Sequence, residues 1–226
     1  IVTGVRGVRR TVADSPAPVD VISSEQLTAT GKVGLKEALN TLIPSFNLPG
    51  INGGGTSWTV RAVTMRGLNG DQALFLVNGK RRHGTALINN LARVGRGGAP
   101  VDLDLIPTSA IERIEVLRDG ASAQYGSDAI AGVINVILST KTGFSGYAQT
   151  GQYYEGDGRK TEVGARYGLD FGHGGVIVGS VDYADAEASL ANARTWEWMH
   201  PLGEVFGALR GAGLDVETFT EHYRVP

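Results

Sequence analysis

Residues Ile111 to Val136 read IERIEVLRDGASAQYGSDAIAGVINV, and the fold is decided there. From Ile111 to Leu117 the residues alternate. Ile114 and Val116 share one face and Arg113 and Glu115 the other, which is the period of a strand. Asp119-Gly120 supplies turn chemistry. Gly132 to Leu138 is a nearly unbroken apolar, β-branched run, as in a strand covered on both faces.

Upstream, Pro107 to Ala110 has room for one helical turn, and Lys80 to Pro100 shows no clear period and reads as a loop. Ala73 to Val77 reads as a strand closed by an Asn78-Gly79 turn, and Thr59 to Met65 as another strand. Leu35, Ala38, Leu39 and Leu42 fall at i, i+3, i+4 and i+7, one apolar helical stripe that Pro44 ends. Ser23 opens a further helix with Gln26 three residues on, the spacing of a capping box. Val19 to Ile22, just before it, reads as a short strand. Residues 1–142 therefore form a mixed α and β unit.

Downstream of Gly143 the pattern changes. Val163, Ala165, Tyr167, Leu169 and Phe171 alternate with Glu162, Gly164, Arg166, Gly168 and Asp170. One face is apolar and the other carries every charge. Ile177, Gly179, Val181 and Tyr183 continue the habit, and Phe144 and Tyr154 share a face around small residues. Ten residues at ~3.3 Å each, tilted ~45°, rise about 23 Å, close to the ~25 Å apolar band of an outer-membrane barrel. Periodicity alone leaves two readings open. An amphipathic soluble hairpin over a core is the commoner use of such strands, and a barrel wall is the other. The turns at Glu155–Arg159 and Gly172–Gly174 are short, whereas the stretch after Ala188, with Trp196 and Trp198, is long. Barrels show that asymmetry between their two ends.

Composition narrows the function classes. A formal charge of -2 gives no basic footprint for nucleic acid. The absence of cysteine removes disulfide scaffolds, thiolate zinc sites and thiol catalysis. The longest apolar run, Ala129 to Leu138, is far short of the ~20 residues of a membrane helix, so any membrane crossing must use strands. The 33 glycines are about twice the ~7% average usage and argue for a β-rich, tightly turned chain.

Several chemical motifs fall away. Gly50 and Gly53-Gly54-Gly55 have the look of a phosphate loop, but no Gly-Lys-Ser/Thr follows. His83, His173, His200 and His222 lack metal-ligand spacing. Asp102 and Asp104 could pair on a metal, but Asp-x-Asp near a proline more often makes a turn or cap. Ser122 lacks the surroundings of a nucleophile elbow.

Three collinear blocks carry a family resemblance. IERIEVLRDGASAQYGSDAIAGVINV resembles the segment closing the plug domain of TonB-dependent outer-membrane receptors. TMRGLNGDQALFLVNGKRR, Thr64 to Arg82, resembles that family's IRG and LVDG block, and VTGVR, Val2 to Arg6, resembles the plug's opening. Asp119-Gly120 in place of the common Gly-Pro, and Asn78 in place of the common Asp, both fall at turn positions that tolerate them.

The resemblance implies an α+β plug, with a mixed four-stranded sheet and short helices, over residues 1–142. Residues 143–226 would begin an antiparallel barrel of the 22-stranded, plugged kind: about three strands, then a long extracellular loop. Three strands cannot close a barrel, so the chain is read as a fragment of a longer protein. The implied function is import of a scarce nutrient, often a ferric siderophore or cobalamin, with nickel complexes and oligosaccharides also open. The implied partners are TonB with its inner-membrane energising complex, the nutrient and outer-membrane lipid. Neither covalent chemistry, nor a cofactor, nor nucleic acid is implied. A receptor that also signals and a soluble β-rich binding protein are the alternatives.

Site residues follow from the same resemblance. Ile1, Val2 and Thr3 resemble the tail of a TonB box, which would add an edge strand to TonB by main-chain hydrogen bonds. Arg66 and Arg118 match plug arginines that meet barrel-wall glutamates as a latch; the plain alternative is a solvated sheet arginine. Ligand contacts would come from the loops Asn52–Trp58 and Arg81–Arg96, through Trp58, Arg81, Arg82, His83 and Arg93, with Arg96 adding charge. Such groups suit an anionic chelate, although the arginines could equally pair with barrel-interior carboxylates.

Overall fold

The computed structural model describes Thr3, Val60 and residues 18–48, 63–88, 96–154 and 156–187. Its centre is a mixed sheet built from β1 (Val19–Ser23), β4 (Ala73–Val77), β5 (Lys80–Arg81), β6 (Ile111–Leu117) and β7 (Gly132–Leu138). The order across it is β1-β6-β7-β4-β5. β6 pairs antiparallel with β1 and β7, and β4 runs parallel to β7. Four strands match the expected plug sheet. The fifth, β5, is a two-residue edge that the Asn78-Gly79 turn folds back onto Leu76 and Val77. It takes the first residues of the stretch read as a loop. The expected strand Thr59–Met65 survives among the described residues only as β3 (Thr64–Met65), paired with β2 (Phe46–Asn47).

The run in β7 is apolar because both of its faces are covered. On one side Ile114, Val116, Ile134, Val136 and Phe75 pack with Leu27, Leu35 and Leu39. The last three come from helices α1 (Ser24–Ala29) and α2 (Leu35–Leu42). On the other side Val19, Leu117, Val133, Leu74 and Leu76 pack with Ala121 and Ala129. Each such fully buried aliphatic side chain contributes about 1.5–3 kcal/mol. Gly132 has φ +137°, and a Cβ there would lie 2.5 Å from the Leu117 carbonyl oxygen, so β7 begins where only glycine fits against β6.

The capping box forms as its spacing implies: Gln26 N donates to Ser23 Oγ at 3.3 Å, and Ser23 N to Gln26 Oε1 at 2.9 Å. The Ser23 hydroxyl also holds the Glu25 carboxyl below the usual carboxylate range. Pro107 precedes one 3-10 turn, Thr108–Ala110, which leads directly into β6.

A separate three-stranded sheet follows, ordered β10-β9-β8: β8 (Gly143–Gly151), β9 (Lys160–Asp170) and β10 (Val176–Ala186). It is antiparallel throughout, with 11 residues in β9 and 11 in β10. Among the described residues no helix is long and apolar enough to cross a membrane, which leaves crossing by strands untouched.

Candidate functional site

The three-stranded sheet is built inside out relative to a water-soluble protein. Val163, Tyr167 and Leu169 on β9 are exposed, as are Phe144 on β8 and Ile177, Val181 and Tyr183 on β10. The register places Phe144 beside Tyr167, Leu169 beside Ile177, and Val163 beside Tyr183. Together they form one continuous apolar outer face. The opposite face holds Glu162, only 3% exposed, together with Arg166, Tyr147, Gln149 and Asp182. Strict period-two alternation forces the separation, because neighbouring side chains on a strand point to opposite faces. The soluble-hairpin reading requires the apolar face to be the covered one, whereas among the described residues the charged face is covered.

The polar face meets the α+β unit. Asp182 accepts from the Ser109 amide at 3.1 Å and, on its other oxygen, from the Ser109 hydroxyl. Ser109 Oγ also lies 3.4 Å from the Ala165 carbonyl oxygen. Gln149 Nε2 donates to the Lys32 carbonyl at 3.1 Å and to Glu162 Oε2 at 2.7 Å. The Tyr147 hydroxyl stands 2.7 Å from Glu162 Oε1 and 3.2 Å from Asp182 Oδ2. Arg166 donates to the Lys141 carbonyl at 2.7 Å and to Ser145 Oγ at 3.2 Å. Neither Ser109 nor Asp182 stood out in the sequence, because a serine in a short turn and an aspartate in a strand carry no pattern of their own.

The two arginines expected to act as a latch come together at one end of the central sheet. Arg66 donates to the Arg118 carbonyl at 2.9 Å, and Arg118 Nε pairs with Asp20 Oδ2 at 2.8 Å. Both partners of the Arg118–Asp20 pair are about half exposed, and Glu162 and Asp182, on the covered face of the three-stranded sheet, are engaged by other groups.

Thr3, the described member of the segment that resembles a TonB box, sits against the central sheet. It is 1% exposed, and its amide and hydroxyl each donate to Glu115 Oε2 at 2.8 Å. Asn135, the cross-strand neighbour of Glu115, donates to Thr3 Oγ1 at 3.0 Å and accepts from Gly79 N at 3.0 Å. Arg113 Nε adds a contact to Glu115 at 3.1 Å. Glu115, placed with Arg113 by its alternation, is thus fully buried rather than solvated. Ile1 and Val2 lie outside the described residues.

Of the expected ligand contacts, Trp58, Arg93 and the loop Asn52–Trp58 also lie outside the described residues. Arg81 is already engaged: its guanidinium bonds Asp128 and the Tyr125 carbonyl, tying β5 to α3 (Ser122–Tyr125). Arg82 and His83 line a cavity of about 500 Å³ together with Lys80, Leu105, Pro107 and Ser180. Arg96 is exposed.

Asp102 and Asp104 hold a cation, but it is an ammonium. Lys36 Nζ is 3.1 Å from Asp102 and 2.9 Å from Asp104, and its side chain is 2% exposed. Asp104 also accepts from the Lys36 amide at 3.2 Å and so caps the start of α2. The pair acts as cap and counter-ion.

The chain is similar to known proteins. The TonB-dependent receptor plug domain family matches residues 11–133, more than half of the chain. A protein named vitamin B12 transporter BtuB, from Vibrio vulnificus, is 37% identical over 135 residues, 60% of this chain and 20% of its own. An iron-regulated outer membrane virulence protein of Vibrio cholerae is 35% identical over 138 residues, 61% of this chain and 19% of its own. The crystal structure of a mutant ferric enterobactin receptor from Pseudomonas aeruginosa, in complex with enterobactin, superposes with a TM-score of 0.57. It is 22% identical and covers 74% of this chain and 24% of that one. The chain spans about a fifth of the length of the curated relatives it matches.

Proposed function

The chain belongs to the TonB-dependent receptor plug-domain family of Gram-negative outer membranes, and on that premise we propose that it is the plug and first barrel strands of an active importer. The observation that carries this reading is the orientation of β9. Its Val163, Tyr167 and Leu169 face outward while its central charged residues Glu162 and Arg166 are buried on the side toward the plug, which suits a wall with lipid on one side and a gate on the other.

The cargo class we propose is a ferric siderophore or a similar metal chelate. The relatives' names favour it: one is a vitamin B12 transporter, another a receptor crystallised with enterobactin. Arg82 and His83 at the 500 Å³ cavity are the described groups best placed to attract an anionic chelate. The plug performs no bond-making step in this reading; it closes the barrel and opens it on demand. Energy would arrive from TonB through the segment containing Ile1, Val2 and Thr3, with the Thr3 contact to Glu115 holding that segment on the plug between transport cycles. Arg66 and Arg118 would reach carboxylates on wall strands beyond β10.

The test is uptake by the full-length receptor in cells with and without TonB, offering labelled ferric chelates and cobalamin in turn. Saturable uptake of one of them that disappears without TonB supports the proposal. TonB-independent uptake, or binding of none of them, rejects it.

A further inference from the structure

The inner face of β8–β10 is shaped around one plug residue. The β9 backbone at Gly164 lies beneath the Tyr147 ring and the Asp182 carboxylate. A Cβ there would stand 2.3 Å from Tyr147 Cε1 and 2.6 Å from Asp182 Oδ1. Only the missing side chain lets both groups lean across β9, where Tyr147 meets Asp182 and Asp182 in turn meets Ser109. Four residues on, a Cβ at Gly168 would stand 2.3 Å from the Lys141 carbonyl oxygen, where the chain passes from plug to wall. The result is a glycine-floored recess walled by Tyr147, Glu162 and Asp182.

We propose that this recess is a dock for the Thr108–Ala110 turn, with Ser109 as its key, and that it is the fixed end of the plug, staying closed while other parts of the plug move during import. The inference rests on the importer reading above. Ser109 satisfies both oxygens of Asp182 with two different donors. Its departure would leave that carboxylate beside Glu162 with one tyrosine hydroxyl between them, two like charges in a covered site. Two neighbouring contacts reinforce the dock: Gln149 to the Lys32 carbonyl and Arg166 to the Lys141 carbonyl. All three join wall side chains to the plug or its exit segment; the Ser109 and Arg166 contacts lie beside the covalent link through Ser139–Thr142, where Ser139 N donates to the Ala110 carbonyl, and the Gln149 contact lies toward the other end of β8. At the far edge of the sheet, β5 is tied by Arg81 to Asp128 and Tyr125, which belong to the plug itself. A plug pinned beside its own covalent tether moves about that end.

The experiment uses the full-length receptor in outer membranes. These 226 residues contribute no cysteine, and in a full-length receptor carrying no other cysteine Ser109→Cys and Asp182→Cys can be joined selectively, as a disulfide or through a short bifunctional thiol reagent. The proposal requires the cross-linked receptor to import cargo within about twofold of its reduced form, far from the tenfold that 1.4 kcal/mol represents. A cross-linked receptor that binds cargo but imports it only after reduction overturns the proposal.

Hydrogen exchange supplies a readout independent of transport. With cargo and the periplasmic domain of TonB present, the Ser109 amide should keep its protection. A loss of about tenfold, roughly one hydrogen bond's worth, contradicts a fixed dock. Gly164→Ala should produce that tenfold loss without any partner, and unchanged exchange in this variant refutes the glycine floor. Should the wild-type receptor import none of the cargoes offered, the importer reading fails, while the exchange data still report on the dock.

Discussion

Arg166 and Tyr167 are consecutive on β9, yet the arginine is 8% exposed and the tyrosine 53%. The guanidinium reaches inward to the Lys141 carbonyl and Ser145, while the ring lies on the outer face beside Phe144. In water that ordering would waste apolar burial and desolvate a charge. In a bilayer with a plug behind it, both residues are where their chemistry favours.

Val181→Arg places a charge on that outer face near the middle of β10, beside Ala165. The variant should destabilise the full-length receptor by about 2–4 kcal/mol in reversible unfolding from lipid bilayers, the cost of arginine near a midplane. A soluble hairpin would absorb the same exposed substitution within roughly 0.5 kcal/mol.

Thr3→Val removes the hydroxyl that bridges Glu115 and Asn135 but keeps the amide. Two buried polar groups then lose a partner, at about 1–3 kcal/mol. Limited proteolysis at the N-terminal segment of the cargo-free receptor should accelerate by at least about fivefold. An unchanged cleavage rate would mean that Thr3 does not hold this segment.

Lys36→Met leaves Asp102 and Asp104 facing each other without their ammonium. Breaking a buried pair costs about 3–5 kcal/mol, and the partial exposure of Asp104 moves this site toward the lower end. Denaturant unfolding measures the loss. Asp102→Asn should be milder, because the amide oxygen still accepts from Lys36.

Arg118→Ala removes a pair with Asp20 in which both partners are about half exposed, worth roughly 0–1 kcal/mol by itself. Plug stability should scarcely change. If Arg118 also reaches a wall carboxylate in the full-length receptor, the force needed to pull the plug from the barrel should fall. Equal force in the two proteins would reduce Arg118 to an ordinary surface arginine.

Much of this fold can be read along the chain because its signals are local. Ser23 with Gln26 marks a cap, the Leu35–Leu42 stripe a helix, Asn78-Gly79 a hairpin, and β9 declares two faces by period alone. What escapes is long-range. Alternation puts Glu115 opposite Ile114 and Val116, but it cannot reveal that Thr3, 112 positions away, buries it. Asp102 and Asp104 have the spacing of a metal pair, and only the fold brings Lys36 between them. Asp182 and Ser109 meet across 73 residues, and Gly164, which makes their meeting possible, is one glycine among 33. The direction in which the β9 faces point also depends on what stands behind the strand.

That direction is the point to measure. Single spin labels at residues 162 to 169 of the full-length receptor in bilayers should alternate in collision rate with a lipid-soluble relaxation agent. Rates should be high at Val163, Tyr167 and Leu169 and low at Glu162 and Arg166. A uniform rate along the strand, or the reverse alternation with the apolar positions shielded, would contradict the lipid-facing wall on which the importer reading rests.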